Sequence, residues 1–195
     1  MSGGRGARRA PAAAAPAVVR RFDTCPDLLP LHQAFPRRYP HLLESVVNGP
    51  EHARFDILFA FPGATLELTD GFQLRGGTGP GDGFLEVLDR WCRAEGHAPA
   101  PDVPVPFHGG WFLYLGYELG TRIEPTVPLP PGGTGAPRAF ATRVPAAIVR
   151  DHAHGRVYAV AEARSAHLLD VLTADLAAVR SAPAEDPGAA AEAAE

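Results

Sequence analysis

The chain reads as an α+β protein on three observations. Its β-rich runs come in pairs closed by short polar turns, and two amphipathic helical segments stand apart from them. No strand, glycine loop and helix recur as a repeated unit. The first two observations describe antiparallel sheets with packed helices, and the third disfavours a doubly wound parallel sheet.

Taken in order, residues 54–61 (RFDILFAF) form a β-rich apolar run stopped by Pro62-Gly63. Residues 65–68 and 72–74 flank Asp70-Gly71, a hairpin signal whose glycine tolerates positive φ. The glycine-rich stretch 76–83 leads into a helix over 84–95. Asp82 is its expected N-cap, Phe84, Leu88, Trp91 and Cys92 share one face, and Gly96 ends it. Residues 111–117 (WFLYLGY) are apolar on both alternating faces, the pattern of a strand buried on two sides. Residues 140–150 and 156–163 read as a second hairpin around the polar turn 151–155. Ser165 then caps a helix striped by Leu168, Leu172, Leu176 and Val179, with Arg180 complementing the dipole at its end.

Composition sets the outer limits. All 18 basic residues among the 195 are Arg, so no Schiff-base lysine, lysine nucleophile or phosphate-loop lysine exists in the chain. A net charge of −4 argues against a general nucleic-acid binder. No apolar run reaches the ~18–20 residues that span a bilayer. Two cysteines, Cys25 and Cys92, make neither a disulfide framework nor a zinc ribbon, which points to a reducing cytoplasm. Residues 1–18 are rich in Ala, Pro and Arg, and 182–195 in Ala and Glu. Both read as disordered extensions, the first too broken by Pro11 and Pro16 for a signal peptide. Residues 19–181 make one domain, enough chain to bury about two-thirds of its unfolded surface.

Candidate chemistry is sparse. The run Gly76-Gly77-Thr78-Gly79-Pro80-Gly81-Asp82-Gly83 lacks the Lys-Ser/Thr of a Walker loop and reads as a linker. His152 and His154 find no further ligand nearby in sequence and read as a solvated turn. Cys92 reads as buried filler on an apolar helix face. Glu44, Asp56, Glu118 and Glu124 are scattered, with no acid–base pairing that spacing reveals, so the chain is expected to carry no catalytic residue. Two segments are unusual for scaffolding. In residues 40–55 (PHLLESVVNGPEHARF), Leu42-Leu43 look buried, with Glu44 and Ser45 next to them and Arg54 opening the following strand. A carboxylate, a hydroxyl and a strand edge so gathered could grip an amino acid; a turn with capping polar groups is the plainer alternative. In residues 106–118 (PFHGGWFLYLGYE), Gly109-Gly110 and Gly116 suggest a bulge or a close backbone approach.

These segments resemble the N-terminal region of the chorismate-utilising enzymes, the component I subunits of anthranilate and aminodeoxychorismate synthases. The landmarks run in order: LLES at 42–45, HARFDILFAFPGATL at 52–66, PFHGGWFLYLGYELGTRIE at 106–124 and AAIVRDHAHGRVY at 146–158. They cover nearly all of residues 40–160. RFDIL and GGWFLYLGYELG are closer to the aminodeoxychorismate (para-aminobenzoate, folate) members; the anthranilate (tryptophan) branch is the alternative. The resemblance implies a four-layer α/β/β/α sandwich built by two halves. It also implies an L-tryptophan-type pocket at Glu44, Ser45, His52, Ala53, Arg54 and Phe55.

In that family the chorismate-binding half, with its catalytic residues and Mg²⁺-binding glutamates, follows the last helix. Here the Ala/Glu-rich tail stands in its place, so that half is expected on a separate chain, beside a glutamine amidotransferase subunit, and no cofactor is expected in this one. The reading that follows is a non-catalytic N-terminal domain of an aminodeoxychorismate synthase component I-like protein. The other readings are a stand-alone amino-acid-binding module and an inactive truncated remnant.

Overall fold

The computed structural model describes residues 15–24, 26–45, 54–76, 83–96, 102–103, 105–120 and 135–181. Within them the order is β1 (Val18–Phe22), α1 (Leu29–Ala34), β2 (His41–Leu43), β3 (Phe55–Ala60), β4 (Thr65–Leu68) and β5 (Leu74–Gly76). It continues with α2 (Phe84–Glu95), β6 (Gly110–Leu115), β7 (Ala139–Val144), β8 (Ala146–Asp151), β9 (Arg156–Ala161) and α3 (Leu168–Ser181). The strands form two antiparallel sheets, ordered β1-β9-β8-β3-β2 and β5-β4-β7-β6. The fold is α+β, as the paired strand runs indicate.

Pro145 joins the two sheets. The run 140–150, which reads as one strand, is two: β7 ends at Val144 in the second sheet and β8 begins at Ala146 in the first. Proline has no N–H to give a ladder, so the strand breaks there and changes sheet. The free Pro145 carbonyl accepts the Glu162 N–H at 2.9 Å.

Helices α1 and α3 cover one face of the first sheet. Leu28, Leu31, Leu169, Leu172 and Leu176 bury against Leu58, Ala60, Ile148 and Ala159. A polar clamp fixes α3: the fully buried Tyr39 hydroxyl donates to Asp175 Oδ2 at 2.6 Å, and Arg38 meets the same oxygen at 2.5 Å. Burial and the Asp175 charge push the Tyr39 phenol up, so it remains a donor. Helix α2 covers one face of the second sheet, with Phe84, Val87 and Trp91 against Leu66, Ala139 and Ala141. The uncovered faces meet around an aromatic cluster. His41 stacks on Phe112 with ring centroids 4.0 Å apart, and Phe59 is edge-on to both Phe107 and Phe112. Burial, reinforced by His32, lowers the His41 pKa and keeps its ring neutral in this stack.

Several local expectations need correction. At the β4–β5 turn, Phe72 rather than Gly71 takes the positive φ, at 58°. The Thr69 carbonyl accepts Phe72 N–H and its hydroxyl accepts Gln73 N–H, giving a three-residue loop whose last position is left-handed. Arg138 holds it there, its guanidinium 4.1 Å above the Phe72 ring and its Nε donating to the Asp70 carbonyl. The α2 N-cap is Gly83, not Asp82, which lies outside the described residues. Helix α3 begins at Leu168, after a 3-10 turn over Ala163–Ser165, so Ser165 is not its cap. The buried stripe is Leu169, Leu172 and Leu176; the side chains of Val179 and Arg180 lie outside the described residues. Leu43 is exposed rather than buried.

The largest correction concerns β6. It is not buried on two sides but forms an edge of the second sheet, with Leu113, Tyr114 and Leu115 at 48%, 44% and 50% exposure. Arg143 N–H donates to the Ala64 carbonyl and its own carbonyl accepts Gly63 N–H, so odd-numbered β7 residues face β4. The even ones pair with Gly110, Phe112 and Tyr114, which turns the backbone groups of Trp111, Leu113 and Leu115 outward. No strand among the described residues pairs with that side.

Candidate functional site

Strand pairing gathers the polar residues at one end of the first sheet. Phe55 lies opposite Asp151 and Asp56 opposite Arg150, while Leu43 lies opposite Ile57. The two residues after β2, Glu44 and Ser45, therefore run alongside Asp56 and Phe55. The structure thus brings together Glu44, Ser45, Arg54 and Phe55 of the expected pocket; His52 and Ala53 lie outside the described residues.

Two buried carboxylates organise this end. Asp56, 3% exposed, accepts the Ser45 backbone N–H on Oδ1 at 3.0 Å. Its Oδ2 lies 2.7 Å from His152 Nε2 and 3.6 Å from an Arg150 guanidinium nitrogen. Asp151, 1% exposed, receives a two-point hydrogen bond from Arg54, at 3.2 Å from Nε and 2.9 Å from a terminal nitrogen. It also accepts Ala153 N–H at 3.1 Å and lies 2.8 Å from His154 Nδ1. Burial alone would raise the Asp151 carboxyl, but the hydrogen bonds from Arg54 and His154 and their charges outweigh it and hold it at about 2. The same pairing raises the Arg54 pKa, and the guanidinium also lies 4.5 Å over the Phe55 ring.

The turn 151–155 is therefore more than a solvated connection. His152 and His154 reach different carboxylates, and each Asp carries one imidazole and at least one arginine. Nothing in the spacing of these residues announces this, because Asp56 and His152 are 96 positions apart and meet only through the β3–β8 register. Asp56 and Asp151 position Ser45 and Arg54 by charge-assisted hydrogen bonds, leaving Glu44 exposed beside them. What Ser45 gives Asp56 is its backbone N–H, so this contact does not make it an activated nucleophile.

Elsewhere, Cys92 is half-buried and burial pushes its thiol up, away from the reactive thiolate; Cys25 lies outside the described residues. Of the glycine-rich stretch, residues 77–82 lie outside the described residues. Among the described residues, no group of three or more His, Cys, Asp or Glu is placed to hold a metal ion, and no helix is long and apolar enough to cross a membrane. No family model matches the sequence, and no curated protein matches it.

Proposed function

We propose that this chain is the non-catalytic N-terminal domain of an aminodeoxychorismate synthase component I-like protein, serving the formation of para-aminobenzoate for folate. One observation supports the reading: the four segments that resemble that family supply strands to both sheets. LLES supplies Leu42 and Leu43 of β2 and Ser45, HARFDILFAFPGATL supplies β3 and the first half of β4, and the remaining two supply β6, β8 and the first half of β9. The outward edge of β6, with its exposed leucines and Tyr114, supports a sandwich that a second half completes.

In this reading the work is divided. The chorismate-binding half holds chorismate and Mg²⁺ and aminates C4 with ammonia from a glutamine amidotransferase subunit. This chain contributes framework and an L-tryptophan-type pocket bounded by Glu44, Ser45, His52, Ala53, Arg54 and Phe55. Asp56 and Asp151 support that pocket by fixing the Ser45 backbone and the Arg54 guanidinium.

Co-expression with a separate chorismate-binding half tests the reading. A co-eluting complex that converts chorismate and ammonium to aminodeoxychorismate is expected. A half that neither binds this chain nor gains activity from it defeats the proposal. For the pocket, calorimetry should show L-tryptophan binding that Ser45→Ala weakens; absence of heat in the assembled complex removes the pocket from the account.

A further inference from the structure

A sheet grows only at its edges, and the described residues leave four: β1 and β2 in the first sheet, β5 and β6 in the second. Three of them are blunted. Strand β1 (VVRRF) carries Arg20 and Arg21, while β2 and β5 are three residues long, β5 with Arg75 among them. Strand β6 (GWFLYL) differs, with six residues, no charge and no proline. Its open side carries the backbone N–H and C=O groups of Trp111, Leu113 and Leu115. None of these makes a hydrogen bond there with another described residue. The side chains of Leu113, Tyr114 and Leu115 are about half exposed beside them.

What such an edge accepts is another extended strand-former. Outside the described residues the chain offers none. Residues 1–14, 46–53, 77–82, 97–101, 121–134 and 182–195 each contain proline, and none has more than two β-branched or aromatic residues in a row. Strand β6, by contrast, is complementary to itself. Laid antiparallel on a second β6 about a two-fold axis at Leu113, it sets Trp111 opposite Leu115 of the second copy and Phe112 opposite Tyr114 of the second copy. Leu113 meets itself. The three outward residues of each strand then face the same three of the other, so every outward N–H meets a carbonyl. Centring on Trp111 or Leu115 instead runs part of the pairing past the strand end. Aromatic ring meets aromatic ring, apolar side chain meets apolar side chain, and no charge in the strand repels its copy.

We propose that this chain pairs with a second copy of itself through β6, joining two four-stranded sheets into one of eight strands. The two-fold pairing uses both open edges at once, so assembly stops at the dimer. One strand pair makes a small interface, so the dimer dissociates on dilution and leaves β6 open in the monomer. A chorismate-binding half would occupy the same edge and exclude the second copy. The pairing needs this chain alone, so it stands or falls apart from the function proposed above.

Sedimentation velocity of the whole chain from about 5 to about 500 µM tests it. The average mass should rise from monomer toward dimer and no further. Because residue 113 meets itself at the axis, its charge also tests the register. Leu113→Lys and Leu113→Glu, each alone, should weaken dimerisation about tenfold or more, since like charges then face one another. An equimolar mixture of the two variants should dimerise again, since opposite charges then meet. The position is exposed, so thermal melts of both variants should stay as cooperative as the parent's. A chain that stays monomeric throughout, growth beyond the dimer, a dimer that neither variant weakens, or a mixture that stays monomeric would each overturn the proposal.

Discussion

The two sheets of this molecule are finished to different degrees. The central strands of the first, β8 and β9, are buried almost throughout, with α1 and α3 on one face and an apolar cluster including Ala17, Val19 and Val105 on the other. The second has α2 on one face and aromatic contacts on part of the other, yet its β6 edge offers exposed leucines and outward backbone groups. An edge of this kind is a liability that soluble domains blunt with charge, proline or a covering element. The difference teaches that the first sheet holds the domain together, while the second leaves an exposed edge, the one at which the proposed assembly would add its other half.

That contrast is best attacked first at its strongest point. Leu172→Ala, in the fully buried core under α3, should cost about 2–5 kcal/mol in urea unfolding, because the residue loses its contacts and leaves a cavity. Asp175→Ala should cost roughly 3 kcal/mol by the same measurement, since it strands the buried Tyr39 hydroxyl and unpairs Arg38. Asp151 gives a pH signature. Its folded carboxyl sits at about 2, below the unfolded value near 3.8, so its contribution is full above pH ~4 and is lost as pH falls through 2. That contribution is about 2 kcal/mol, and stability curves of Asp151→Asn should lack this part of the acid limb. The smallest effect belongs to β6. Leu113→Ser should change stability by less than about 0.5 kcal/mol while reducing association with the chorismate-binding half, seen as weaker co-elution.

What could be read from the sequence follows how local each signal is. The helix at 84–95 is legible to the residue because its apolar spacing and the Gly96 stop are local, and Gly96 does close α2 through its N–H to the Cys92 carbonyl. Strand β3 is legible for the same reason. By contrast, β1 and α1 stand out by no pattern, being short and set among prolines and charges. The β7–β8 break was carried by Pro145 alone, in a run otherwise continuous in β-formers. The apolar alternation of WFLYLGY is identical for a central strand and for an edge awaiting a partner; only the sheet order separates them. In the site, Glu44, Ser45 and Arg54 were legible as polar residues out of keeping with their apolar neighbours. Their supports Asp56, Asp151, His152 and His154 were not, because strand register rather than sequence proximity assembles them.

Hydrogen exchange, read peptide by peptide with and without the chorismate-binding half, tests the contrast between the sheets most directly. In the free chain the amides of β8 and β9 should exchange only on global unfolding, and those of Trp111, Leu113 and Leu115 should exchange far sooner. Adding the partner half should slow the β6 amides and leave β8 and β9 unchanged. Equal protection of β6 and β8 in the free chain would contradict the account, because the second sheet would then need nothing to complete it.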